Sequence, residues 1–355
     1  MTRILVSGAG GFAGHHFLEH VLTETDWDVI ATDSFRHRGT SDRITQVIAG
    51  DPCRGTCPRW RDRVQVITHD LTAPFSVQAM AAIHGPAGGG GLDYLIAMAS
   101  QSHVDTSITD PVAFCENNFA VALNTLELAR QLRPKAVVMI STDEVYGPAE
   151  PGHPHREWDT VLPSNPYAAS KAAQEAVSIS YWRTYGVPVI ITNTMNLIGE
   201  RQHPEKFIPK TLRAVLAGKE AVIHGSPGNI GSRHYLHARN MADAVLFLLR
   251  QGRPKMFPAH ALPHEETELW PDRYNIASAD RLDNLELAQM IADAAGRPLR
   301  YRLEDFHRAR PGHDSHYGLD PGKIRALGWK PPVPFRVSLE RTVRWTIRNP
   351  EWLLG

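Results

Sequence analysis

The sequence predicts an α/β protein: a doubly wound, mostly parallel sheet followed by a smaller, less regular C-terminal α/β lobe. Three observations predict it. Short apolar runs alternate with longer amphipathic stretches through the first half of the chain. A glycine-rich turn separates the first apolar run from the first amphipathic stretch. At 355 residues the chain exceeds one small module and suits one large or two closely joined domains.

The strands read in order as Ile4–Ser7, Val29–Ala31, Val64–Ile67, Tyr94–Ala97, Val137–Ser141 and Val189–Asn193. A first helix over 14–24 carries Phe17, Leu18, Val21 and Leu22 at helical spacing, and a second over 111–132 carries Phe114, Phe119, Val121, Leu123, Leu126 and Leu128. Further helices are expected over 207–218, ending at Gly218, over 284–295, capped by Asn284 or Asp283, and over 336–348. Residues 36–62, 85–91 and 252–272 are rich in loop formers and read as loops. The domains are expected at 1–193, with about 233–278 returning to it, and 194–355.

Composition excludes several classes. Lys plus Arg and Asp plus Glu are 38 each, so bulk electrostatics would hold neither nucleic acid nor a membrane surface. No leader pattern opens the chain and no apolar run nears the ~20 residues of a membrane helix, so a cytoplasmic protein is expected. Three cysteines are too few for a disulfide scaffold; Cys53 and Cys57 read as loop thiols because no second pair completes a zinc site, and no metal is expected. The 18 histidines read as surface or satisfied residues.

The motifs carry the chemistry. Gly8-Ala9-Gly10-Gly11-Phe12-Ala13-Gly14 follows the first strand and opens the first helix. Residues without a Cβ let backbone N–H groups approach a pyrophosphate, and the helix N-terminus favours its charge. This is the context of a Rossmann-type dinucleotide site, with Gly8, Gly11 and Gly14 at its turn. Asp33 ends the second strand, where a carboxylate accepts the ribose hydroxyls of NAD and repels a 2′-phosphate; Arg36 and Arg38 could still attract one, and NAD is preferred. Asp70-Leu71 after the third strand is placed to meet the adenine, or is a loop acid.

Tyr167-Ala168-Ala169-Ser170-Lys171 follows Asn165, a good N-cap, and Pro166, a good first helical residue. Tyr167 and Lys171 then share one helical face. A nearby ammonium should favour phenolate and fit Tyr167 to take a proton from a hydroxyl. Ser141-Thr142-Asp143-Glu144-Val145-Tyr146-Gly147 follows the fifth strand, at the sheet end where ligands bind. Thr142 could bond the reacting hydroxyl. Of the adjacent carboxyl groups Asp143 and Glu144, one could serve as acid and the other as base.

These residues resemble the extended short-chain dehydrogenase/reductase family over nearly the whole chain, and within it the nucleotide-sugar 4,6-dehydratases of the dTDP-glucose type. Further matches are Ser102-His103-Val104-Asp105, Pro204-Glu205-Lys206-Phe207-Ile208-Pro209, Tyr274-Asn275-Ile276, Arg310-Pro311-Gly312-His313-Asp314 and Leu327-Gly328-Trp329-Lys330-Pro331. The resemblance implies oxidation of a sugar at C4 with Tyr167 as base and NAD as oxidant. Glu144 would then remove the C5 proton, Asp143 would protonate the departing C6 hydroxyl, and hydride would return to C6. It implies cofactor contacts from Phe12 and Ala99 and nucleotide-sugar contacts from Ser102, His103, Asn196, Lys206, Arg233, Asn275 and Arg310. It also implies a homodimer through the helices over 111–132 and 166–185, with Phe114, Leu123 and Leu126 fitting a buried face.

Three places depart from the family pattern: Gln101 stands where a Glu is usual, Met195 where a small polar residue is usual, and Arg239-Asn240 where an acidic pair is usual. The alternatives are 4-epimerisation or 5,6-dehydration on the same fold, or a non-catalytic NAD-binding regulator.

Overall fold

The computed structural model describes residues 1–50, 60–84, 91–150, 152–257, 269–278, 281–304 and 316–354. Cys53, Cys57, Arg310 and most of the 85–91 and 252–272 loops lie outside them. By compactness the chain divides into two units: Met1–Thr142, Pro166–Asn193 and Val245–Tyr274 form the first, and Asp143–Asn165, Thr194–Ala244 and Asn275–Gly355 the second. The sequence division differs: residues 143–165, 233–244 and 275–278, read as part of the first domain, cluster with the second. The reason is local, since Tyr146, Glu157 and Asn275 are bonded to one another.

The first unit is built on strands β1 (Arg3–Ser7), β2 (Asp28–Asp33), β3 (Val64–Thr68), β4 (Tyr94–Ala97), β5 (Ala136–Thr142) and β6 (Val189–Thr194). Their spatial order is β3-β2-β1-β4-β5-β6, with strand Asp272–Ile276 beyond β6. β1 pairs in parallel with both β2 and β4, so the strand order reverses beside it and opens the crevice where such sheets bind ligands. The apolar runs are central strands buried on both faces; β5 is buried along its whole length, whereas edge strand β3 is half exposed.

Helix Pro111–Leu132 begins at an Asp110 side chain that accepts from Ala113 N, with Pro111 in its first turn, and packs along helix Pro166–Tyr185. Phe114 and Leu126 are buried and Leu123 packs partly against the core, so this face covers the sheet. Trp182 is fully buried, crosses Phe257 edge-on at 5.2 Å and donates its indole N–H to Lys255 O at 2.7 Å.

The second unit holds two three-stranded sheets, one of Asn196–Ile198, Ser232–His237 and Arg281–Asp283, the other of Ala221–Ser226, Asn229–Ile230 and Tyr301–Glu304. Helices Phe207–Leu216, Asn284–Ala294 and Phe335–Arg348 bury Leu212, Leu287, Ile291, Leu339 and Val343 in a common core. Asp283 caps the second of these in a capping box with Glu286.

One sequence expectation is corrected. The stretch 36–62 contains helix Ser41–Ala49 and a single turn Trp60–Arg63, because Ile44 and Val47, three apart, bury one face. His15, His16 and His20 are buried on the first helix, Phe12–Glu24, where His16 and His20 sit one turn apart. Among the described residues no helix is long and apolar enough to cross a membrane.

Trp182→Ala is expected to cost about 3–5 kcal/mol through the cavity it leaves, and Trp182→Phe about 1–2 kcal/mol, read as urea midpoints.

Candidate active site

The turn after β1 is shaped by contacts that only glycine allows. Gly8 has φ +69°, and a Cβ there would lie 2.8 Å from the Ala99 backbone. Gly11 N donates to Gly8 O at 3.0 Å, and a Cβ on Gly14 would collide with the same carbonyl. The first helix therefore starts hard against the end of β1. Ser7 fixes the facing chain: its hydroxyl accepts from Met98 N and Ala99 N at 3.1 and 3.2 Å.

Asp33 is nearly buried at the end of β2, with one oxygen accepting from Gly10 N and the other from Phe35 N, both at 2.9 Å. Arg43, also buried, donates to Gly10 O at 3.1 Å and to Arg38 O at 2.6 Å. Arg36, read from sequence as able to attract a phosphate, forms an ion pair with Asp70, which also accepts from Thr72. Leu71 is buried and its carbonyl accepts from Asn124. Phe12 is half-buried at the first position of the helix. A turn that a Cβ would fill, a helix N-terminus and a carboxylate at the second strand's end together fit a dinucleotide.

The Tyr167–Lys171 pair lies in the same unit. Tyr167 N donates to Ser107 Oγ at 3.1 Å and its ring meets Phe114 edge-on at 6.3 Å. Lys171 is 5% exposed and donates to Ile140 O on β5 at 2.6 Å. Burial pushes its ammonium from the ordinary 10.5 down to about 8, and Glu175 one turn later pulls the other way. Glu175 belongs to a buried network. Asn193 on β6 donates to Glu175 at 2.7 Å and to Thr142 O at 2.9 Å; Arg273 donates to Asn193 at 2.9 Å and to Glu175 at 2.7 Å. Asn118 joins the helices by donating to Ser170 Oγ at 2.9 Å and holds Gln101, from whose N–H it accepts at 2.8 Å.

In the second unit Asp143 and Glu144 open the single turn Asp143–Tyr146. Asp143 is buried, and Glu144 Oε2 accepts from Asn165 Nδ2 at 3.1 Å. Tyr146 OH shares its one proton between Glu157 O and Asn275 Oδ1, both at 3.1 Å. Asn275, expected to touch substrate, is fully buried, and its Nδ2 donates to His155 O at 2.9 Å. Asn196 and Arg233 lie on adjacent strands, and the Arg233 guanidinium sits 4.8 Å over the Tyr317 ring. Lys206 is half-buried just before helix Phe207–Leu216. Ser102 is exposed, and His103 caps the short helix Val104–Thr109 in the first unit.

Sequence reading missed Ser7, Asn118, Glu175, Asn193 and Arg273. Glu175 carried a usable signal, one helical turn beyond Lys171. Arg273 carried none, since Asn193 lies 80 positions away from it in sequence.

A parallel sheet whose first strand feeds such a turn defines a Rossmann-type dinucleotide-binding protein. The profile of the NAD dependent epimerase/dehydratase family matches residues 4–276, and the chain belongs to that family, with NAD as its cofactor. It is 31% identical to the low-salt glycan biosynthesis protein Agl12 of Haloferax volcanii, over 98% of this chain and 99% of that one. It is 30% identical to the dTDP-glucose 4,6-dehydratase of Shigella flexneri, over 99% and 94%. The crystal structure of DesIV, a dTDP-glucose 4,6-dehydratase from Streptomyces venezuelae with NAD bound, superposes with a TM-score of 0.80 at 30% identity, covering 99% of each chain.

Two outcomes follow from the site. Arg273→Met is expected to lose about 3–5 kcal/mol of stability by stranding the buried Glu175 carboxylate, and adding Glu175→Gln should recover most of it in a double-mutant cycle. Lys171 binds its proton less tightly in the folded chain, so the folded form gains stability as pH rises from about 8 towards 10.5. Lys171→Met should lack that gain and melt higher than the parent at neutral pH without ligand.

Proposed function

We propose that this chain is an NAD-dependent nucleotide-sugar 4,6-dehydratase, converting a dTDP-glucose-type hexose to its 4-keto-6-deoxy form. The observation that carries the reading is the pair Asp143 and Glu144 on the turn directly after β5, with Asn165 bonded to Glu144. Relatives bearing that activity, matched over almost the whole chain, support it.

The first unit would hold NAD through Gly8, Gly11, Phe12, Gly14, Asp33, Asp70, Leu71 and Ala99, with Tyr167 and Lys171 beside the reacting ring. Nucleotide-sugar contacts would come from Ser102, His103, Asn196, Lys206, Arg233 and Arg310. When bound, NAD supplies reversible two-electron oxidation. Tyr167 takes the proton of the C4 hydroxyl, and the Lys171 ammonium favours the phenolate that does so. Thr142 bonds the same hydroxyl oxygen. The C4 ketone acidifies C5–H, Glu144 takes that proton, and Asp143 protonates the C6 hydroxyl as water leaves; the hydride removed from C4 would then return to C6 and C5 would regain a proton, which closes the sequence at the 4-keto-6-deoxy sugar. The protein acts as a homodimer, for which Val112 and Phe119, exposed on helix Pro111–Leu132, are suited to meet a second copy.

Incubation with dTDP-glucose and with UDP-glucose should give, by mass spectrometry, a product lighter by one water; an isobaric product would make the chain a 4-epimerase instead. Tyr167→Phe should lower kcat by at least about a hundredfold.

A further inference from the structure

We infer that Asn165 is a positioning residue for Glu144: its side-chain amide orients the carboxylate that takes the C5 proton. The inference rests on the dehydratase reading and adds to it a residue that acts through Glu144.

The backbone of the turn Asp143–Tyr146 is held at several points by the segment that returns past it. Leu162 N donates to Val145 O at 3.0 Å, and Gly147 N donates to Glu144 O at 3.2 Å. Gly147, at φ +76°, packs so closely on the Leu162 carbonyl that no Cβ fits. Tyr146 OH ties the turn to Glu157 and Asn275, and its ring stacks on His155 at 5.2 Å. Backbone clamps fix where Glu144 begins and leave its side-chain torsions open. A glutamate has three of them, and a base must be held within about 0.5 Å of its productive geometry to work.

The Asn165 amide supplies that hold. Asn165 is buried and follows the clamped Leu162 by three residues, so its own position is set by the same segment. It immediately precedes Pro166, where an N-cap would use the amide oxygen; the contact to Glu144 uses the amide nitrogen, which capping does not need. An N–H donated to a carboxylate also favours the ionised form that a base requires. A side chain present only to start the helix has no need of a donor aimed at Glu144.

The test is a series at position 165, comparing Asn165→Gln, Asn165→Ala and Asn165→Asp with the parent. Two half-reactions are read separately. C4 oxidation is followed by the near-ultraviolet absorbance of the reduced nicotinamide in a single turnover, and elimination by loss of water and by solvent deuterium entering at C5. Asn165→Ala should slow elimination roughly tenfold or more while C4 oxidation proceeds, so reduced nicotinamide accumulates. Asn165→Gln, which keeps the donor, should recover much of the rate, and Asn165→Asp, which replaces it with a like charge, should be slowest. Equal slowing of both half-reactions, or a rate order that ignores the donor, would overturn the inference. If Asn165→Ala does not fold, the order of Asn165→Gln against Asn165→Asp decides the matter alone. Glu144→Gln distinguishes the two levels: elimination surviving it sinks the base assignment itself, whereas elimination lost there but unaltered across the 165 series sinks only the role of Asn165.

Discussion

A buried guanidinium, a carboxylate and an amide meet behind the Tyr167–Lys171 helix, and the geometry of the first unit depends on that meeting. Arg273, Glu175 and Asn193 come from three different elements, and Asn193 passes the constraint to the carbonyl of Thr142, the last residue of β5. Removing charges from water is costly, and each group here recovers the cost only while the others stay in register. The network thus ties the rotation of helix Pro166–Tyr185 to the end of β5. The hydroxyl of Thr142 and the phenol of Tyr167 are carried by the two elements it joins.

Lys171 shows what this environment does to a working charge. Its ammonium is buried with a backbone carbonyl for partner, and Glu175 offsets part of the desolvation. Such a residue is unfavourable in the folded chain, because one carbonyl and the Glu175 charge replace only part of its hydration. Stability is given up at this position for readiness, as is common where a charge must act.

Much of this was legible in the sequence, and the reasons are physical. The central strands announce themselves because both faces are buried, so Ile4–Val6 and Val137–Ile140 are unbroken apolar runs. The glycine turn and the Tyr167–Lys171 spacing are local patterns, and local patterns survive without tertiary knowledge. Helix Ala238–Arg250 and the small sheets of the second unit were not read, because their strands are short, mixed in polarity and paired across long separations. Asn275 was read as a ligand contact because its motif matches; its burial against Tyr146 and His155 is a long-range property that no motif encodes. Arg273 was invisible for the same reason. Asn165 was read in one role only, since the helix that starts after it explains an Asn there without reference to Glu144.

Asp33 carries a consequence for how the cofactor preference can change over time. Both of its oxygens brace the chain around it, one through Gly10 and the other through Phe35, and Gly39 is packed so closely that a Cβ would sit 2.6 Å from one of them. A single substitution that removed the carboxylate would also unlatch that loop. Whatever this strand end accepts is thereby tied to folding, because the same carboxylate holds the loop in place.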